Sequence, residues 1–310
     1  MESPTTNTLL MIRPVAFGFN VQTAVNNYFM TDADISNKKV QDLALQEFDG
    51  MVSQLRGKGI RVLVINDSLE PHTPDSIFPN NWISFHHRGK VCLYPMFAEN
   101  RRHERRWEIL KEMDRHHVLI RDILDYSHFE TDGLFLEGTG SMVLDRENHI
   151  AYAALSERTH PKVLEQFCKD LKYRAVTFNA YQQVGNERLP IYHTNVMLCF
   201  VGRYALVCLE AIDNPAEYRA VCDSLSATSR EMIPISEAQM HAFAGNMLEL
   251  RKPDGTSLLV CSSTAWDALT PKQRERLEAI SDVLVIAVPT IETVGGGSVR
   301  CMMAEIFNSI

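Results

Sequence analysis

Five stretches with helical apolar spacing recur along the chain, beginning near residues 37, 102, 161, 215 and 271. The clearest runs from about Asn37 to Gly57 and leads into a strand-like run, Ile60 to Ile65. Arg102 to His116 followed by Val118 to Ile120, and Pro161 to Leu171 followed by Arg174 to Phe178, repeat that order. The last two helices announce their starts. Asn214-Pro215-Ala216-Glu217 offers a cap, a proline at the first helical position and an acid placed for a capping box; Thr270-Pro271-Lys272-Gln273 does the same ahead of the strand-like Val283 to Val288. A unit of strands, helix and strand cannot bury both faces of its sheet alone, so five such units in series must pack on one another. The pattern predicts one α/β domain over residues 1–310 with fivefold pseudosymmetry. No Gly/Ser-rich or Pro-rich tract marks a linker, and the longest polar insertion is Asp67 to Pro79.

Composition narrows the function class. With 31 Lys plus Arg against 39 Asp plus Glu the formal net charge is −8. The densest basic cluster, Arg101-Arg102-His103-Glu104-Arg105-Arg106, has an acid inside it, which argues against nucleic acid as a partner. No apolar run approaches the roughly 18 residues of a membrane span, and the first residues, Met1-Glu2-Ser3-Pro4, do not read as a signal peptide, so a cytoplasmic protein acting on small molecules is expected. The seven cysteines, without C-x-x-C spacing, point to reduced thiols and give no metal site.

Four segments carry candidate chemistry. Val294-Gly295-Gly296-Gly297-Ser298-Val299-Arg300-Cys301 sets a thiol after a glycine run that matches no phosphate-binding pattern, which makes Cys301 a candidate nucleophile. In Ile191-Tyr192-His193-Thr194-Asn195, His193 opens an apolar strand with Asn195 two positions along on the same face. Glu137 lies between apolar residues and glycines in Leu134 to Ser141, a costly place for a carboxylate without a partner. Phe78-Pro79-Asn80-Asn81-Trp82 brings paired asparagines into a strand behind a proline. Set on separate units, Cys301, His193, Glu137, Asn81 and Asn195 are expected to converge on one polar pocket, while Asp75, in a Thr-Pro-Asp turn, reads as a cap.

These motifs resemble the amidinotransferase and arginine deiminase superfamily, the penteins. The resemblance covers most of the chain: the glycine run before Cys301 is similar to the family's nucleophile motif, His193-Thr194-Asn195 to its His-x-Asp, and Leu136-Glu137-Gly138 to the start of its Glu motif. Tyr94-Pro95-Met96 with Asn100-Arg101-Arg102 resembles its Pro-Met and Arg-Arg stretch. The resemblance implies a five-bladed α/β propeller of ββαβ units. It also implies a cofactor-free enzyme in which Cys301 attacks the substrate carbon, His193 moves protons, Glu137 supports His193, Asn81 and Asn195 hold the reacting group, and Arg101 meets the substrate carboxylate; Arg13 and Arg300 are further candidates for that contact.

Arginine deiminases of this superfamily clamp a guanidinium with two aspartates where this chain has Asn81 and Asn195, and Gly140 replaces the later Asp of the Glu motif. An amide offers donor and acceptor together, which suits a neutral ureido group. The Phe-Pro-Asn-Asn-Trp segment resembles the citrulline-utilisation hydrolase branch, implying hydrolysis of citrulline to ornithine, carbon dioxide and ammonia. The alternatives are an arginine or N-substituted arginine deiminase or dihydrolase, an amidinotransferase, and, more distantly, a non-catalytic pentein binding module. A homodimer is a further expectation.

Overall fold

The computed structural model describes residues 3–33 and 35–307. Its architecture is mixed α/β, built on five three-stranded sheets of one topology. Four are local in sequence: Ile83–His86, Lys90–Leu93 and Asp122–Asp125; Val143–Asp145, Ile150–Ala154 and Arg174–Phe178; Leu198–Val201, Tyr204–Val207 and Glu231–Pro234; Leu248–Arg251, Ser257–Ser262 and Asp282–Ile286. In each, the first two strands pair antiparallel, helical structure follows, and the third strand returns parallel to the second. The fifth sheet draws on both ends of the chain: Thr8–Arg13 pairs parallel with Arg61–Asn66 across the helix Asn37–Gly57, and antiparallel with Ala304–Glu305. A separate hairpin joins Tyr181–Val184 to Glu187–Pro190.

The middle strand of each sheet is covered on both faces, which explains why these strands read as continuous apolar runs rather than alternating ones. Ile150–Ala154 and Tyr204–Val207 are buried along their whole length. The parallel outer strands alternate, and Asp122–Asp125 is largely exposed, with a charge at each end guarding its edge. The helix Asn37–Gly57 buries Val40, Ala44, Phe48, Met51, Val52 and Leu55 in a single stripe. All seven cysteines are free thiols. No helix among the described residues is long and apolar enough to cross a membrane.

Helices Asn37–Gly57 and Pro161–Leu171 match the sequence expectation. The one expected over Arg102 to His116 is broken into Glu99–Arg102 and Trp107–Arg115. Arg101 and Glu104 turn into the interior there, 2% and 3% exposed, while Arg102 bonds the Met96 carbonyl and Arg105 the Tyr94 carbonyl. These four directions are incompatible with one straight helix. Val118 is buried in the core, and the strand expected at Val118 to Ile120 begins at Asp122, where register with Lys90–Leu93 sets it. Glu217 does not close a capping box: its carboxylate accepts from the Asn179 backbone and side chain, leaving Asn214 to cap Pro215–Ala227 alone. His86 is buried against Ser84, whose Oγ lies 2.7 Å from its Nε2.

The helix Pro271–Glu278 has the complete box, Gln273 N–H to Thr270 and Thr270 N–H to Gln273. Thr270→Ala should therefore cost about 1 kcal/mol and lower the calorimetric melting temperature by roughly 2 °C, whereas Glu217→Ala, which removes no cap, should leave helix Pro215–Ala227 intact by amide exchange.

Candidate active site

The candidate residues sit at one recurring place in the fold, the short segment leading into the first strand of each sheet. One-turn helices Pro79–Asn81, Gly138–Ser141 and Thr194–Val196 precede three of these strands. Asn246 precedes Leu248–Arg251, and Cys301 precedes Ala304–Glu305. Asn81 and Asn195 are thus turn residues, not strand residues as the alternation suggested, and His193 is the extended residue just before its turn. The glycine run ends the helix Pro289–Gly295, with Gly296 in the left-handed region at φ 62°. A Cβ on Gly295 or Gly297 would sit 2.8 or 2.9 Å from the Phe78 ring, so only glycine lets this loop approach the Asn81 turn.

The nucleophile candidate and the candidate base are brought to one narrow cavity, whose walls include Asp75, Asn81, Arg101, Arg158, His193 and Cys301. His193 Nε2 lies 2.8 Å from Glu137 Oε2. With that nitrogen engaged, Nδ1 is the one left for proton transfer. Burial pushes the His193 ring down to about 4, the Glu137 bond offsetting part of that, so the ring is neutral at pH 7. Burial alone would raise the Glu137 carboxyl, but Arg158, His193 and Arg101 outweigh it and hold the group well below the usual range. Cys301 Sγ receives Asn195 Nδ2 at 3.4 Å and Asn246 Nδ2 at 3.3 Å. Asn195 is thereby held against the sulfur through Nδ2, with Oδ1 buried and unpartnered.

Arg101 forks onto Glu104 through Nε and Nη2, at 2.8 and 3.0 Å, and donates from Nη1 to Asn81 Oδ1 at 2.9 Å. A guanidinium only donates, so the Asn81 amide is oriented with its oxygen on Arg101 and its NH2 turned away. That Nδ2 is buried and has no protein partner. Gly140 makes room for the arrangement: a Cβ there would lie 2.4 Å from Asn81 Nδ2 and 2.8 Å from His193 Nδ1, so no aspartate fits at this point of the Glu motif.

Two cavity residues escaped the sequence reading. Asp75 is not merely a turn cap: it is 2% exposed, its Oδ2 accepts from Asn20 and Thr23, and its Oδ1 is unpartnered. Burial raises its carboxyl, against the pull of Arg101 and those two bonds. The pocket therefore holds a carboxylate that the loss of two aspartates elsewhere had seemed to exclude. Arg158 bonds Asn26 Oδ1 and the Thr23 carbonyl and approaches Glu137 to 3.5 Å. Nothing in its segment distinguishes it, whereas Asn246 had a signal, since Asn246-Met247-Leu248 enters its strand much as Asn195-Val196-Met197-Leu198 does. Arg13 pairs with Asp49 at the surface. Arg300 binds Glu305 and lines a different cavity, of about 510 Å³, so neither faces the site.

The low-lying His193 ring makes a pH prediction. Between about 6.5, the value of a free histidine, and the native value of about 4, the unfolded chain binds a proton that the native ring does not. Stability should fall as pH drops through that window. His193→Asn should flatten the slope of calorimetric melting temperature against pH over pH 4 to 6.5, and an unchanged slope would remove His193 as its source.

Comparison with known proteins bears on this geometry. The family model for N,N dimethylarginine dimethylhydrolase, eukaryotic, matches residues 13–308. Among solved structures, the chain resembles ArgZ, an arginine dihydrolase from the ornithine-ammonia cycle in cyanobacteria, with TM-score 0.73 and 16% identity over 98% of this chain and 41% of that one. Against the substrate-bound N-terminal domain of ArgZ the values are 0.72 and 16%, over 96% of this chain and 97% of the domain. A dimethylarginine dimethylaminohydrolase in adduct with S-methyl-L-thiocitrulline gives 0.61 and 14%, over 97% and 99%. The chain thus spans about two fifths of full-length ArgZ and nearly all of its N-terminal domain. At these identities the structural likeness speaks for the fold alone. No curated protein sequence matches. The match over residues 13–308 places the chain in the eukaryotic N,N-dimethylarginine dimethylhydrolase family, within the pentein amidinotransferase and arginine dihydrolase superfamily.

Proposed function

We propose that this protein hydrolyses the ureido group of citrulline to ornithine, carbon dioxide and ammonia, within a single pentein domain whose five sheets are its blades. The observation that carries the reading is the Asn81 amide at the cavity wall, whose oxygen is taken by Arg101 and whose buried NH2 is left without a protein partner. A ureido oxygen accepts from that donor; a guanidinium has no acceptor to offer it. Asn195 Oδ1, buried and unpartnered beside the sulfur, supplies the complementary acceptor for a ureido N–H.

In this mechanism the Cys301 thiol transfers its proton to His193 Nδ1 as the sulfur bonds to the ureido carbon, and Glu137 stabilises the imidazolium. Negative charge collects on the ureido oxygen, where Asn81 Nδ2 donates. Collapse breaks one C–N bond, His193 gives its proton to the departing nitrogen, and ammonia leaves a thiocarbamate on Cys301. His193 then takes a proton from water, the hydroxide adds to the carbon, the sulfur is expelled as the thiolate, and His193 returns the proton to it. The resulting carbamate breaks down to carbon dioxide and the ornithine amine. Asp75 Oδ1 and the Arg158 guanidinium, on the same cavity, offer opposite charges to the α-amino and α-carboxylate groups of a free amino acid.

A second reading, an arginine or N-substituted arginine dihydrolase, is favoured by the same Asp75 carboxylate, which provides a counterion for a guanidinium, and by the likeness to ArgZ. Mass spectrometry of products from citrulline, arginine and N,N-dimethylarginine offered separately decides between them. Ornithine should form from citrulline and disappear in Cys301→Ala. Asn81→Asp, which replaces the donor with a carboxylate, should lower citrulline turnover by about 10²- to 10³-fold. Turnover of arginine with citrulline inert would overturn the ureido reading.

A further inference from the structure

The sulfur of Cys301 has a neighbour that the proposed mechanism does not use. Asn246 is fully buried, and its two amide protons have two acceptors: the Asn195 backbone carbonyl at 3.1 Å and Cys301 Sγ at 3.3 Å. A backbone carbonyl only accepts, so the first bond fixes which end of the Asn246 amide is nitrogen. The second proton is thereby aimed at the sulfur, and while Cys301 is a thiol its own S–H reaches Asn246 Oδ1 at 3.7 Å. Asn195 Nδ2 donates to the same atom from another direction, at 3.4 Å. The Asn195 backbone carbonyl thus anchors the Asn246 amide beside the same sulfur that the Asn195 side chain reaches.

No cation lies among the sulfur's recorded contacts. Two fixed N–H donors favour the charged form of a group they bind, and in a buried site they act at low dielectric. We propose that Asn246 is a catalytic residue: together with Asn195 it forms a donor pocket for the Cys301 thiolate, stabilising the sulfur both as the attacking group and as the group expelled when water cleaves the thiocarbamate. Its place in the fold matches this role. Asn246 leads into the first strand of the fourth local sheet, the junction that in the other sheets carries Asn81, Glu137, His193 and Cys301, so all five sheets contribute a residue to the reaction. The inference rests on Cys301 being the nucleophile.

The test is the rate at which iodoacetamide alkylates Cys301 at pH 7, followed by peptide mass spectrometry so that the other six thiols are scored separately. It is run on the full chain, on Asn246→Ala and on the near-isosteric Asn246→Asp, beside citrulline kinetics for each. Both variants should slow Cys301 alkylation at least tenfold and lower kcat by about 10²-fold, with KM within threefold of the parent and an unchanged circular dichroism spectrum. Asn246→Asp keeps the side-chain volume, so the comparison stands even where Asn246→Ala fails to fold. Alkylation at the parent rate in a folded Asn246 variant would overturn the role of Asn246 while leaving the nucleophile in place. Full turnover by Cys301→Ala would instead overturn the nucleophile reading, and this inference with it.

Discussion

A guanidinium almost sealed from solvent organises the site. Arg101 is tied at once to the turn that precedes it in space, through the Asp75 and Phe78 carbonyls and Asn81, and to its own turn through Glu104. Removing one partner from a buried ion pair costs on the order of 3 to 5 kcal/mol, because a charge is left uncompensated. That penalty holds the segments 75–81 and 99–104 together, and it breaks the helix that the sequence between residues 102 and 116 would otherwise form. Through one further bond it also decides which end of the Asn81 amide is left without a partner, the donor. The Arg101 fork is occupied by Glu104, with Asp75 Oδ2 3.8 Å from its Nε, and Arg158 joins Arg101 and Asp75 in the cavity wall.

The charges around the reacting groups are arranged by distance from the sulfur. Glu137 lies behind His193, where it orients the ring and favours its protonated form, while the Arg158 guanidinium beside Glu137 opposes that form. At the sulfur the recorded neighbours are neutral amides. In the proposed reaction such a site takes a neutral electrophile with no buried counterion at its reacting end, because Asn81 and Asn195 offer amides rather than carboxylates. Asp75 restores one carboxylate to the cavity, and its unpartnered oxygen is the feature that keeps the guanidine reading chemically reasonable.

Much of this was visible in the chain before folding. Middle strands buried on both faces must be apolar throughout, and two long helices needed only their stripes and caps to be delimited. The thiol after the glycine run, the histidine and the glutamate were singled out because each was chemically out of place in its local sequence. Asp75 was missed because a Thr-Pro-Asp turn is ordinary turn chemistry, and its burial is caused by contacts with Asn20 and Thr23, more than 50 positions away. Arg158 was missed because its partners, Asn26 and the Thr23 carbonyl, are more than 130 positions away.

The sequence by itself determined the repeating unit and marked out the thiol, the histidine and the glutamate as chemically out of place, since periodicity, capping and the cost of burying a carboxylate or histidine are local properties. Only the tertiary structure decided which atoms face one another. The direction of the Asn81 amide, the neutral state of His193 and the two donors on Cys301 arise from contacts between different sheets, where burial and the choice of partner are set by the packing of five units and not by the spacing within any one of them.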